Sequence, residues 1–284
     1  MDAGRQFAGA VTAVTGFEKG SGKTTFLNFA LPHARAQGPV AVFSIGVDGA
    51  LKARDGGAAG SIQVAPGDLV LTTEAFARDS SARFEVLESV PGRSALGRLF
   101  LGRAVRGGSI TLVGPEHLGT LAELIQRVRA EGWARSVLVD GAVNRLTQVS
   151  ALGEVKFVFT VRVDPSNLAR VAARIQALDA LAALPILPDP PAGVLRLEGP
   201  LTAAGLQALP KATTGLSLAD FTKAFLEPAE LLRTLQRHPC SLRRGLDLLG
   251  FAVTLRGLDR AGFRAAVGPG LTAPLLFNPY EVAG

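Results

Sequence analysis

The sequence predicts an α/β fold built on a layered, mainly parallel sheet. A β-branched, apolar run at 11–15 is followed by glycines and then by a helix-like segment, which is the order strand, turn, helix. Further apolar runs at 40–45, 136–141 and 155–161 alternate with stretches of helical periodicity. Continuous apolar runs are typical of parallel strands that are covered on both faces. Strand–helix alternation therefore predicts a parallel sheet between layers of helices.

Composition places the chain among globular proteins. It has 284 residues, of which 48% are hydrophobic and 19% charged, enough for one large domain or two smaller ones and unlike a disordered chain. We find no apolar run of bilayer length and no signal-peptide pattern, so we expect a cytoplasmic protein. The single Cys240 excludes an internal disulfide framework, and no His/Cys cluster indicates a structural zinc site.

The charge balance is basic, with a formal net charge of +6. The arginines are spread along the chain, and the aromatic residues, 6% of the total, are mostly Phe within apolar runs. Nucleic-acid binders usually show a basic patch or exposed stacking aromatics. We therefore do not expect nucleic acid as a partner, and an anionic nucleotide or an acidic protein accounts for the charge equally well.

The segment 16–25 reads Gly-Phe-Glu-Lys-Gly-Ser-Gly-Lys-Thr-Thr. It is close to the Walker A pattern G-x-x-x-x-G-K-[ST], in which Lys23 would reach the β- and γ-phosphates and the Thr24 hydroxyl would ligate Mg²⁺. Phe17 stands where the first glycine belongs. The alternative is a glycine-rich turn before an ordinary helix, but the flanking strand and helix favour a phosphate loop and hence a fold of the P-loop NTPase type. The predicted nucleotide-binding residues are Gly16, Glu18, Lys19, Gly20, Ser21, Gly22, Lys23, Thr24 and Thr25.

Two aspartates follow predicted strands. Asp48 comes after the strand at 40–45, and Asp140 lies at the end of the strand at 136–141. Ligands bind at the carboxyl ends of strands in open parallel sheets, so both carboxylates are expected near the loop, where they would hold Mg²⁺ directly or through water. Asp48 could equally be a turn residue before a glycine. The predicted catalytic residues are Lys23, Asp48 and Asp140, and the predicted metal ligands are Thr24, Asp48 and Asp140.

The remainder of the chain adds an insertion and an extension. Several short β-like runs at 61–113 predict a β-rich insertion, of which at least the last strand, near 109–113, is expected to join the main sheet. The proline-dense segment 185–191 is the best boundary. It divides a P-loop core at 1–184 from a C-terminal α/β extension at 185–284, which is either a second small domain or part of the same sheet.

Three stretches together resemble the reactivase-subunit proteins associated with lysine 5,6-aminomutase. They are TGFEKGSGKTTFLN at 15–28, SIGVDG at 44–49 and VDGAVNR at 139–145, with a weaker similarity at 198–202. The resemblance implies an ATP-dependent accessory factor that restores an adenosylcobalamin- and pyridoxal-phosphate-dependent aminomutase by cofactor exchange. It also implies the aminomutase and a second ATPase subunit as partners. The positions that it carries over as nucleotide-site residues are Lys23, Thr24, Asp48 and Asp140.

Three kinds of function fit these observations. One is a nucleotide-driven switch or chaperone-like ATPase, and another is a phosphotransferase or ATP-dependent ligase acting on a small metabolite. The third is a binding module that holds nucleotide with little turnover. Lys19 could act across a homodimer or be a solvated loop lysine. No guanine-reading motif is present, so only the resemblance favours ATP.

Overall fold

The computed structural model describes residues 7–45, 60–94, 96–141 and 154–278. The chain divides into two compact units, Met1–Thr160 and Val161–Gly284. A compact unit is not a test of independent folding. The domain ranges 1–184 and 185–284 therefore stay a prediction.

Unit 1 is organised around a mainly parallel sheet. Its strands follow the order β9-β1-β8-β2-β4-β6-β5, and the pairs from β9 through β4 are parallel, whereas β6 and β5 run antiparallel. The last residues of β9 already belong to unit 2. The predicted α/β class is confirmed. The strands of unit 1 are β1 (Val11–Gly16), β2 (Val40–Ser44), β3 (Ile62–Val64), β4 (Leu69–Thr73), β5 (Arg83–Ser94), β6 (Gly97–Arg106), β7 (Gly108–Ile110), β8 (Ser136–Gly141) and β9 (Lys156–Val163).

The core of unit 1 lies on the central strands. All six residues of β1 are buried, as the continuous apolar run predicted for a strand covered on both faces. Among the described residues of unit 1, the α-helices that accompany the sheet are α1 (Lys23–Ala34), α2 (Glu74–Arg78) and α3 (Leu118–Ala130). The apolar residues of α3 recur at helical spacing and are buried; they are Leu121, Leu124, Ile125 and Val128.

The first helix, α1, ends shortly after a proline. It contains Pro32 and gives way to a 3-10 turn at Arg35–Gln37. Proline removes one backbone donor and disfavours a helical residue before it. Here α1 nevertheless continues to Ala34, because buried residues on both sides of the proline pack into the core.

One expectation about the β-rich insertion is wrong. The last strand, β7, does not join the main sheet but pairs antiparallel with β3 in a separate two-stranded sheet. It is held there by the turn at 81–82, since Ser109 N donates to Ser81 Oγ (2.8 Å). A Cβ on Gly108 would lie 2.5 Å from Ala82 N. The strands that extend the main sheet are instead β4, β6 and β5.

Unit 2 is a smaller α/β assembly. The parallel strands are β10 (Val194–Arg196), β11 (Gly215–Leu218) and β12 (Cys240–Leu242) in one sheet, with β13 (Asp247–Leu255) pairing β14 (Leu275–Phe277). The helices are α4 (Leu168–Ala182), α5 (Ala203–Gln207), α6 (Pro228–Arg237) and α7 (Arg260–Val267), with a 3-10 turn at Phe221–Lys223.

None of the helices in the described ranges is long and apolar enough to cross a bilayer.

Candidate phosphate-binding site

The loop between β1 and α1 has the backbone of a phosphate loop. Gly20 and Gly22 take φ angles of +77° and +96°, which side-chain-bearing residues rarely adopt. Gly22 is the N-cap of α1, and no side chain caps this helix. A helix start without a side-chain cap offers N–H groups and a partial positive charge to an anion. The loop therefore combines the turn geometry and the donors that phosphate binding requires.

Phe17, which replaces the first glycine of the Walker A pattern, is part of the core. Its ring is buried and meets that of Phe159 edge-on, with 6.0 Å between the centroids. Its amide donates to the carbonyl of Thr160 (3.1 Å). The Phe17 side chain thus holds the start of the loop against β9. This contact gives a physical reason for the departure from the Walker A pattern.

The preceding Gly16 is required by close packing. A Cβ at this position would lie 1.9 Å from Ser21 Oγ and 3.0 Å from Thr160 Oγ1. Contacts below 3.0 Å are not tolerated without a shift of the neighbouring atoms. Gly16 therefore allows the second half of the loop to fold back onto the end of β1.

A hydroxyl chain connects the loop to β9. Ser21 Oγ and Thr160 Oγ1 are 2.8 Å apart, and Thr160 Oγ1 donates to the carbonyl of Thr15 (3.2 Å). Because the Thr160 proton is used on Thr15, Ser21 is the donor to Thr160. All three residues are buried. The Ser21 side chain is thus bonded within the core, which leaves its backbone N–H as the group that could contact a ligand.

Thr160 is a residue that supports the loop and that the sequence analysis did not predict. The one available signal is a hydroxyl residue within the otherwise apolar run 157–161. Nothing in the sequence indicates that this run would lie beside β1.

Asp140 lies beside the loop because β8 is inserted between β1 and β2. It is paired with Val14 on one side and with Ser44 on the other. Its backbone carbonyl accepts a hydrogen bond from Ile45 N (3.0 Å). The carboxyl ends of these three strands therefore meet at the place where the loop begins.

The Asp140 side chain is in an environment that favours a bound cation. The residue as a whole is partly exposed, but its Oδ1 is buried and has no hydrogen-bond partner among the described residues. Burial raises the pKa of this carboxyl, and the charge of Lys23 acts in the opposite direction. Leaving a charged oxygen unpaired in the interior is costly. A cation or a tightly held water at this point would remove that cost.

The remaining predicted residues lie around the start of α1. Lys23 and Thr24 are partly buried, whereas Lys19 and Thr25 are exposed, as is Glu18. A threonine hydroxyl and a carboxylate are the oxygen donors that Mg²⁺ prefers. The donor set of Thr24 and Asp140 therefore fits this ion.

Other predictions are not placed by the structure. Asp48 lies outside the described residues, so its position relative to the loop stays a prediction. Within the described ranges there is no group of three or more His, Cys, Asp and Glu residues that could hold a metal ion. Cys240 is buried in unit 2, and burial raises the pKa of its thiol to about 11, which makes it a poor nucleophile.

Comparison with known proteins gives one partial similarity. The chain is 31% identical over 211 residues to a tRNA(Ile)-lysidine synthase from Methylobacterium sp. (strain 4-46). The match covers 67% of this chain and 59% of that protein, so the chain spans about three fifths of its relative's length. No protein-family model and no solved structure matches.

The α/β fold, with strand, glycine loop and helix in a layered, mainly parallel sheet, is consistent with a P-loop NTPase-like fold. The resemblance to aminomutase reactivases gains no support from these comparisons. It continues to rest on the three sequence stretches alone.

Proposed function

We propose that this chain binds a nucleoside triphosphate with Mg²⁺ at the loop 16–25 and hydrolyses it. The observation that carries the proposal is a loop with left-handed Gly20 and Gly22 that leads into an uncapped helix, next to the unpaired, buried Oδ1 of Asp140. ATP is the proposed nucleotide.

The roles of the residues follow from what phosphoryl transfer requires, which is positioning and charge compensation more than covalent chemistry. Lys23 and the N–H groups of the loop would neutralise charge on the phosphates. Thr24 and Asp140 would hold Mg²⁺, and Asp48 is a further candidate ligand. An Mg²⁺ ion held by these residues would supply positive charge that compensates the phosphate charge. Lys19 would add a positive group from the same chain or from a second copy in a homodimer.

Calorimetric titration with ATP and with GTP, each with and without Mg²⁺, tests this proposal. We expect Mg²⁺-dependent binding of ATP that is tighter than that of GTP. Equal affinity for the two would contradict only the preference for ATP. No binding of either nucleotide would contradict the proposal itself.

The finer proposal is an accessory role in the cytoplasm, in which the chain acts on a cobalamin- and pyridoxal-phosphate-dependent aminomutase together with a second ATPase subunit. It is supported by the sequence resemblance. The test adds this protein and ATP to an aminomutase that has been inactivated by turnover. Recovery of mutase activity is expected only with hydrolysable ATP, and recovery that is independent of nucleotide would contradict it.

A second candidate is a phosphotransferase or an ATP-dependent ligase. The similarity to a protein named as a synthase favours it, and the substrate would be a small metabolite or, by analogy with that relative, a tRNA. Incubation of labelled ATP with a metabolite panel and with bulk tRNA decides between the candidates. A new product formed from a metabolite or from tRNA, carrying the γ-phosphate label in the case of phosphotransfer and unlabelled in the case of ligation, would favour this one. Release of free phosphate with no new product would count against it.

A further inference from the structure

Both polar atoms of the Asn28 side-chain amide form hydrogen bonds with one backbone segment. Its Nδ2 donates to the carbonyl of Ser61 (3.0 Å), and its Oδ1 accepts from the amide of Gln63 (2.8 Å). Two bonds from one planar group determine both the distance and the orientation of the segment that they hold. Residues 60–63 are thereby fixed along the side of α1.

The same segment touches the candidate metal ligand. A Cβ on Gly60 would lie 2.3 Å from Thr24 Oγ1 and 2.6 Å from Thr24 Cγ2, so the Gly60 backbone lies directly against the Thr24 side chain. Thr24 and Asn28 are four residues apart on α1 and therefore lie on the same face of the helix. The segment that Asn28 holds is thus the one that limits the rotation of Thr24.

The far end of the segment is held independently of Asn28. Arg35 Nη2 donates to the carbonyl of Gln63 (3.0 Å) and pairs with the buried carboxylate of Asp68 (2.6 Å). Asp68 in turn accepts from the amide of Ala65 (2.8 Å). Loss of the Asn28 side chain would therefore loosen residues 60 and 61 while β3 stays in place.

We propose that Asn28 is a positioning residue for metal binding. It holds Gly60 against Thr24 and so keeps the Thr24 hydroxyl in the rotamer that ligates Mg²⁺. This inference rests on the proposed nucleotide site and deepens it. Threonine side chains have few allowed χ1 rotamers, so a backbone packed against the Thr24 side chain is sufficient to select one.

Linkage gives the proposal a second consequence. If the position of residues 60–63 favours metal binding at Thr24, then metal and nucleotide must stabilise residues 60–63 by the same free energy. Binding of metal and nucleotide would therefore also affect the stability of β3 and β7 through this segment.

The experiment compares Asn28→Ala with Asn167→Ala in the full chain. Asn167 is a matched control, because its amide also bonds two backbone groups, accepting from Asp164 N (3.0 Å) and donating to the Arg162 carbonyl (3.1 Å), but in unit 2. One measurement is the Mg²⁺ concentration that gives half-maximal binding of a non-hydrolysable ATP analogue. The other is hydrogen exchange of the peptide containing 60–65, with and without the analogue and Mg²⁺.

We expect Asn28→Ala to raise the half-saturating Mg²⁺ concentration about tenfold, as is typical for loss of a residue that orients a metal ligand. Asn167→Ala should change it less than about twofold, since its amide bonds to Asp164 and Arg162, both residues of unit 2. Exchange at 60–65 should be slowed by nucleotide and Mg²⁺ in the wild type and much less so in Asn28→Ala.

Gly60→Ala provides a second variant that leaves Asn28 intact. It should also raise the half-saturating Mg²⁺ concentration, because its methyl group collides with Thr24. An unchanged Mg²⁺ dependence in Asn28→Ala and Gly60→Ala, or an equal change in Asn167→Ala, would overturn the inference while the proposed function stands. If the wild-type chain binds no nucleotide with Mg²⁺, the proposed function is wrong and this inference is wrong with it.

Discussion

At the residue scale, the candidate site depends on side chains that do not themselves face a ligand. Thr160 connects Ser21 to the carbonyl of Thr15, and Phe17 fills the core where the Walker A pattern has a glycine. The sequence is sufficient to find Lys23 and Thr24 because they belong to a local motif. It is not sufficient to find Thr160, because contact between residues 139 positions apart depends on strand order.

Replacing Thr160 with valine should loosen the loop. The variant keeps the shape of the side chain but leaves the Ser21 hydroxyl buried without its acceptor, at a cost of about 1–3 kcal/mol in the free energy of unfolding. Nucleotide affinity should fall as well, because the loop loses its attachment to β9. Urea denaturation and calorimetry measure the two effects.

Thr160→Ser is the matched control for this change, because it retains the hydroxyl and loses only a methyl group. It should recover most of the nucleotide affinity. Equal loss of affinity in the valine and serine variants would show that packing, and not the hydroxyl chain, positions the loop.

Replacing Asp140 with asparagine should increase the stability of the protein while it weakens Mg²⁺-dependent nucleotide binding. Burial raises the pKa of this carboxyl above its ordinary value of 3.8. The folded state therefore binds the proton more tightly than the unfolded state, and stability from this group is present below pH 3.8 and is lost as the pH rises through the folded-state pKa. At pH 7 without nucleotide, Asp140→Asn should be more stable than wild type by on the order of 1 kcal/mol.

The difference in stability between Asp140→Asn and wild type should shrink as the pH is lowered toward 3.8, since wild-type Asp140 then becomes neutral. Mg²⁺-dependent nucleotide binding should be strongly reduced in the variant at pH 7. Thermal unfolding over a pH series measures the first effect. A variant that is less stable than wild type at pH 7 would contradict the assignment of Asp140 as an unpaired buried charge.

At the element scale, local chemistry predicts most helices and strands but not every pairing. The amphipathic spacing of α3 and the apolar runs of β1 and β8 determine those elements. The pairing of β7 with β3 could not be predicted, because it depends on a turn at 81–82 and on the absence of a side chain at Gly108. The three-residue strands of unit 2 are too short to show a period.

Two glycine variants test how β1 and the loop pack. Gly16→Ala should destabilise the protein and abolish nucleotide binding, because its Cβ would lie 1.9 Å from Ser21 Oγ. Gly119 lies near the start of α3, and a Cβ added there would have no neighbouring atom within 4 Å. Gly119→Ala should therefore stabilise the chain by about 0.4–1 kcal/mol through helix propensity and a less flexible unfolded state. Melting temperatures of the two variants provide the comparison. A Gly16→Ala protein that binds nucleotide normally would show that the loop is not held as described.

At the scale of the whole molecule, the site exists because the sheet order places β8 between β1 and β2. The sequence predicts that Asp140 ends a strand, and the general rule for parallel sheets places it at the ligand-binding edge. Which strands lie on either side of β8 cannot be predicted from the sequence and is known only from the strand order in the structure. Asp48, the predicted partner of Asp140, lies outside the described residues, and its place in the site stays a prediction.

The most direct test of a nucleotide site at this loop is calorimetric binding of ATP and Mg²⁺ to the wild type, Lys23→Ala and Lys211→Ala. Lys211 is an exposed lysine of unit 2 and serves as the charge-matched control. We predict that Lys23→Ala weakens binding at least about 100-fold, close to 3 kcal/mol, since each factor of ten corresponds to about 1.4 kcal/mol. Lys211→Ala should bind like the wild type. Equal affinity in all three proteins would contradict the assignment of this loop as the nucleotide site.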